Sequence, residues 1–242
     1  MSIWFFIWLF LSAALIYFMG WNAFILYRQK RAWKSYAAAQ KLRYRSPSFF
    51  AAPEMNGIAG DYTVSLFTGE HMSPDMRGSR KLTAIEIQLS SQFPFAGGVA
   101  SGGMVDVIQS MGFKEEINPA HPEWEKAWIA RAENRNVLKE YLNAERLAAL
   151  VPLMKIKNAW VVFVFRDNMT LLRLDTPDPL DSAKKLNYII KKMTDSAKVL
   201  ELKSGEASRL KTYEATKSAK EVTLKISEEN LGSDLSLEED DR

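Results

Sequence analysis

Residues 3–27 read IWFFIWLFLSAALIYFMGWNAFILY, and Arg28, Lys30, Arg31 and Lys34 follow at once. The run holds no charged side chain. A helix rises about 1.5 Å per residue, so roughly 25 residues make about 37 Å of helix, against a hydrocarbon layer of about 30 Å. Residues 1–27 are therefore expected to be a transmembrane anchor. Trp4 at one end, with Trp21 and Tyr27 at the other, suit the two interfaces. A secretory signal would have a basic start, a shorter apolar run and a small-residue cleavage site. Here Met1-Ser2 carries no basic side chain, and Ser12-Ala13-Ala14 lies in the middle of the run. A core helix is rarely apolar on every face over such a length.

The flank gives an expected direction. Between Arg28 and Phe50 stand Arg28, Lys30, Arg31, Lys34, Lys41, Arg43 and Arg45, with no acidic residue. Basic residues concentrate on the cytoplasmic side of a span. The expectation is a single-pass protein of a bacterial inner (plasma) membrane, N-terminus outside and C-terminus cytoplasmic. Arg28, Lys30, Arg31 and Lys34 are its basic membrane-flank residues, able to attract anionic headgroups.

This placement also explains the composition. The net charge is only +3, from 32 Lys and Arg against 29 Asp and Glu, and the acidic excess sits at the C-terminus as Glu238-Glu239-Asp240-Asp241. Because topology accounts for the basic cluster, nucleic acid is not an expected partner. With no cysteine in the chain, disulfides, thiolate nucleophiles and thiolate metal sites are excluded.

The soluble part predicts an α+β fold: one domain, a mainly antiparallel sheet covered by helices on one face, then a disordered tail. The expected segments are the anchor 1–27, a basic juxtamembrane helix 28–46, a cytoplasmic domain 47–202, and a mostly disordered tail 203–242 with an acidic end. The juxtamembrane helix either stands the domain off the membrane or packs on it. Tyr62–Phe67 (YTVSLF) and Ala84–Leu89 (AIEIQL) carry strand signals, the latter in strict alternation. Thr68–Arg80 is expected as a polar connection. Phe93–Met104 (FPFAGGVASGGM) has two Gly-Gly pairs and is expected to be the most flexible loop. A further strand is expected around AWIAR in 124–132, and helix from Asn134 to Lys155, with Asn143 as a cap and Pro152 bending or ending it. Trp160–Phe165 (WVVFVF) suggests a central strand, turned at Asp167-Asn168 and returned through Thr170–Leu174. Thr176-Pro-Asp-Pro is expected to open a long helix, with Asp178 as cap and Pro179 at its first position. Leu186, Ile189, Ile190, Met193, Ala197 and Leu200 form its apolar stripe, and its lysines form the other face.

Catalytic constellations are weak. His71 lies near Glu70, Ser73 and Asp75, types that can bind a metal or pass protons. His121 sits in a proline-bounded loop. The chain contains no H-E-x-x-H, G-x-S-x-G or P-loop pattern, and no lysine or hydroxyl follows the glycines at phosphate-loop spacing. Trp124 and Trp128, four apart, are expected in the core, with a binding surface as the alternative. No catalytic, cofactor-binding or metal residue is assigned, and no cofactor is expected.

Three segments carry a resemblance: AWKSYAAAQKLRYR (32–45), the G-x-x-G-D-Y-T-V-S-L stretch from Gly57, and NRNVLKEYLNAERLAAL (134–150). Over residues 1–202 the plan resembles bacterial single-span membrane-anchored proteins of uncharacterised function. The resemblance implies the anchored layout and transfers neither activity nor site residues. The expected function is a membrane-anchored interaction or regulatory module. It contacts the bilayer through its N-terminal helix and a protein partner through its domain. A tethered hydrolase-like enzyme and an anionic-lipid sensor are the alternatives.

Overall fold

The computed structural model describes residues 3–72, 79–166 and 169–212. The apolar run and the basic segment form one uninterrupted helix, α1 (Ile3–Gln40), long and apolar enough to cross a membrane. None of residues 3–22 is buried by the other described residues. Farther along, Gln29, Ala32, Trp33, Tyr36 and Ala37 are buried. Their three-and-four spacing is one helical face against a core, so the second half of α1 packs on the domain. The helix expected over 28–46 stops at Gln40. Lys41 takes a positive φ of 57°, and the chain turns into β1 (Arg43–Arg45).

Among the described residues nine strands form one sheet in which every neighbouring pair is antiparallel. In chain order they are β1, β2 (Glu54–Ala59), β3 (Tyr62–Met72), β4 (Ser79–Gln88), β5 (Gly97–Ala100), β6 (Glu115–Ile117), β7 (Ile129–Ala132), β8 (Trp160–Arg166) and β9 (Met169–Thr176). Across the sheet the order is β1-β2-β3-β4-β9-β8-β5-β7-β6. Gly60, with φ of 65°, turns β2 into β3. The alternation in β4 holds, with Ile85, Ile87 and Leu89 buried and Glu86 and Gln88 facing the other way. β8 is central, as its continuous apolar sequence predicts.

Helices α3 (Arg135–Tyr141), α4 (Ala144–Met154) and α5 (Ala183–Leu200) join the end of α1 over one face. The core there takes Val64 and Leu66 from β3, Leu172 and Leu174 from β9, and Phe163 and Phe165 from β8. An aromatic cluster lies at its centre, with Phe93 stacked on Phe165 at 4.4 Å. The entire predicted stripe of α5 is buried. Asn143 caps α4 as expected, accepting a 3.0 Å hydrogen bond from the Arg146 N–H. Pro152 does not end α4, which continues to Met154.

Several expectations are corrected. The glycine segment is not a flexible loop. Gly97–Ala100 is β5, fully buried between β8 and β7. A Cβ on Gly97 would lie 2.9 Å from both Ala132 Cβ and the Arg131 carbonyl oxygen, and one on Gly98 would meet Ile108 Cδ1 at 2.4 Å. These glycines are needed for close packing on the two faces. The supposed connection over 68–80 is mostly strand, because β3 and β4 pair as far as Met72 and Ser79. Helices cover more than one face, since α2 (Val105–Ser110) packs a second cluster of Ala100, Ile108, Ile129, Val162 and Val164 on the opposite side.

The start of α5 also differs. It begins at Ala183, and Asp178 Oδ1 accepts from the Leu180 N–H in a local turn at 2.8 Å. Leu180 is fully buried with φ of 52°, so residues 176–182 plug the core in a non-helical path. Beyond the expected edge at residue 202, Glu206 and Leu210 are buried on the domain. Asp167-Asn168 and residues 213–242, including the acidic end, lie outside the described residues.

α5 runs alongside α1 in the same direction. Arg28 meets Asp181 near the start of α5, and Tyr36 and Gln40 line a crevice with Asn187, Thr194 and Lys198 farther along. The domain therefore has an end at Arg28 and a far end at Leu200, separated by roughly 27 Å of helix.

Candidate functional site

α2 covers the second face of the sheet only over β5, β7 and β8. Among the described residues no helix lies over β3, β4 or the Arg173 end of β9, where Leu171 still borders the α2 cluster, and this part of the face gathers polar and aromatic side chains from four strands. Arg173 on β9 is the centre. Its Nε and Nη2 donate to the two oxygens of Asp175 at 2.7 and 2.9 Å, and Nη1 donates to Glu86 Oε1 at 3.0 Å. Its guanidinium carbon lies 5.5 Å from the centre of the Phe67 ring. Burial would lower the Arg173 pKa, but the hydrogen bond to Asp175 and the charges of Asp175 and Glu86 outweigh it and leave the value raised. The arginine is thus a fixed cation with a planar, half-buried face.

The register explains the convergence. Glu86 pairs with Arg173 across β4 and β9, and Ala84 pairs with Asp175. Trp160 on β8 is opposite Asp175 in the next ladder. Gly69 lies over Arg173, where a Cβ would stand in ordinary contact 3.5 Å from Nη2. The end of β3 reaches across, so that His71 meets Trp160 edge to face at 4.8 Å. Trp160 in turn lies on Gly102 and Gly103; Gly102 has φ of 57°, and a Cβ on it would be 2.1 Å from the indole. Rings, a paired guanidinium and two carboxylates thus lie together on this face, side-chain types that are common in binding surfaces.

A second feature lies where α1 meets the domain. A crevice of about 510 Å³ is lined by Trp21, Phe24 and Arg28 of α1, with Lys157, Asp178 and Lys185 among the domain residues opposite. Arg28 bonds Asp181 at 3.1 Å, and Lys185 bonds Asp178 at 2.9 Å. The hydrogen bond to Asp178 raises the Lys185 pKa.

At the far end, Arg146 is buried and saturated. It donates to Glu206 through both Nη1 and Nη2 at 2.8 and 2.7 Å, and also to the carbonyls of Tyr141, Val199 and Glu201. Tyr141 Oη donates to the Leu200 carbonyl at 2.6 Å. The Arg146 hydrogen bonds hold the Glu206 carboxyl below its usual range, against the opposing effect of burial. This network fastens the segment after α5.

The residues singled out in the sequence are dispersed. Glu70 and His71 are adjacent in β3, so their side chains leave opposite faces of the sheet. Asp75 and Ser73 lie outside the described residues. His121 Nδ1 accepts from the Glu123 N–H in a local turn. Among the described residues no group of three or more His, Asp or Glu is placed to hold a metal. Trp124 and Trp128 meet edge to face at 5.5 Å, with Trp128 in the core. Of the basic flank, Arg28 binds Asp181, and Lys30 Nζ donates to the Ser48 and Phe49 carbonyls at 2.6 and 2.7 Å. Arg31 and Lys34 are exposed. Two of the four flank charges thus tie the helix to its own domain. Arg173, Glu86 and Asp175 were not anticipated. The available signal was Arg173 and Asp175 at alternate positions of the otherwise apolar LLRLD, which puts two charges on one face of a central strand.

Comparison with protein-family models and with curated proteins finds no match for this chain.

Proposed function

We propose that the chain is a single-span protein of a bacterial inner membrane, N-terminus outside, whose cytoplasmic domain recruits or modulates a protein partner and carries out no catalysis itself. The observation supporting this is the continuity of α1. The helix stands clear of the described domain over residues 3–20, comes alongside it from Trp21, and buries one face in it from Gln29 to Ala37, without a linker. A domain held this way has a fixed height and attitude at the bilayer, an arrangement that suits presenting a surface. The uncovered sheet face around Arg173 and Phe67 is the surface best equipped for it. The test is co-purification from native membranes in mild detergent. A specific partner should lose most of its recovery with Arg173→Ala at unchanged protein level; recovery indifferent to that variant contradicts the assignment.

One observation favours an anionic-lipid role as a second reading. The crevice at Trp21, Phe24 and Arg28 combines aromatic rings with three cations against two carboxylates, at the end of the apolar run. Flotation of the full-length chain's Lys157→Ala/Lys185→Ala variant cannot test this, because the anchor alone binds. Native mass spectrometry of retained phosphatidylglycerol does, with fewer bound lipids expected in the variant.

A further inference from the structure

We infer that the loop 46–51 is a second membrane contact, in which Phe49 and Phe50 enter the interfacial layer of the bilayer beside the anchor. This rests on the proposal that α1 spans the membrane. Phe49 and Phe50 are 69% and 79% exposed, and their rings meet edge to face at 5.0 Å. Phe50 is more exposed than any large apolar side chain described in the apolar run of α1, where Phe10 reaches 76%. Two adjacent phenylalanines so exposed belong to a surface that something apolar covers.

The position of the loop identifies that cover as lipid. Lys30 Nζ grips it through the carbonyls of Ser48 and Phe49, and the Ser48 hydroxyl accepts from the Ala51 N–H, closing the turn. Lys30 is 15 residues past Leu15, the middle of the apolar run, or roughly 22 Å along the helix. Half the thickness of a bilayer with its headgroups is about 20–22 Å. The clamp therefore holds the loop in the headgroup layer, within a phenylalanine's reach of the acyl boundary. Arg28 and Lys30, two residues apart at about 100° each, point to nearly opposite sides of α1. The crevice and the phenylalanine loop thus flank the helix at one level, so the domain meets the membrane on both sides of its anchor. Arg31, Lys34, Arg43 and Arg45 add positive charge along the same stretch, which favours an anionic surface.

The absence of cysteine makes single-site labelling direct. Full-length Phe50→Cys, Phe10→Cys and Lys139→Cys proteins, each carrying an environment-sensitive fluorophore, would be reconstituted in phosphatidylethanolamine–phosphatidylglycerol vesicles containing spin-labelled lipids. Lys139 is exposed in α3, close to Tyr141 at the far end. The expected result is at least two-fold quenching at residue 50 by a shallow acyl-chain quencher, deep quenching at residue 10, and none at residue 139. Quenching at residue 10 with residue 50 matching residue 139 overturns the inference while leaving the anchor intact. Equal quenching at residues 50 and 139 overturns it too, because the domain would then lie on lipid without a specific loop. No quenching at residue 10 overturns the anchor, and this inference with it.

Discussion

Arg28 Nη2 lies 3.1 Å from Asp181 Oδ2, joining α1, just past its apolar run, to the residues that lead into α5. The arginine side chain is 52% exposed, and an exposed pair of this kind contributes about 0–1 kcal/mol. Docking of α1 must therefore rest on burial. Arg28→Ala is expected to change the unfolding free energy by less than about 1 kcal/mol. Trp33→Ala, at a fully buried site, is expected to cost about 3–5 kcal/mol. Trp33 Nε1 has no hydrogen-bond partner among the described residues, so Trp33→Phe should cost well below the alanine variant. Chemical denaturation of the full chain in detergent, followed by circular dichroism, ranks the three.

Gly97 is a packing residue in β5. Gly97→Ala places a methyl group 2.9 Å from the Arg131 carbonyl, which is backbone and cannot rotate away. The expected destabilisation is about 1–3 kcal/mol, read as a lower melting temperature with unchanged membrane insertion. A glycine serving only loop flexibility would give almost no shift.

Acid should release the far-end clasp. The folded pKa of Glu206 is depressed by its hydrogen bonds from Arg146. A depressed carboxylate contributes stability that is present above its unfolded pKa and lost as pH falls through the folded value. The loss should therefore appear below about pH 4.3, the ordinary glutamate value, and not between pH 6 and 8. Glu206→Gln leaves a buried arginine without its counter-charge and should cost about 3–5 kcal/mol at neutral pH. Its melting temperature should also fall less steeply on acidification than that of the natural chain.

Orientation has its own check. With a single cysteine at Ser2 or at exposed Lys203, a membrane-impermeant maleimide should label intact cells at residue 2 alone. Labelling at residue 203 would place the domain on the other side.

The legible parts of the fold were those where one period dominated. The apolar run of α1, the alternation of β4, the continuous apolar β8 and the stripe of α5 each bury one continuous face, and the pattern shows in the residues. The illegible parts depended on distant partners. Gly97-Gly98 resembles a loop until β7, β8 and α2 close on it from both faces. Asp178-Pro179 carries good helix-start chemistry, yet Leu180 is drawn into the core and delays α5 to Ala183. The uncovered face was missed for the same reason, since Phe67, Glu86, Trp160 and Arg173 meet only through the strand order. Lys30 and Arg28 were visible as topology signals, but their contacts with Ser48, Phe49 and Asp181 come from the chain folding back on α1.

The most direct measurement of the central claim is photo-crosslinking in intact membranes from Gln88, an exposed position on the uncovered face. A photoreactive residue there should give a discrete protein adduct, and Arg173→Ala should remove it at equal expression. Adducts with lipid alone, or none, while the same residue at Lys139 behaves identically, would contradict the account.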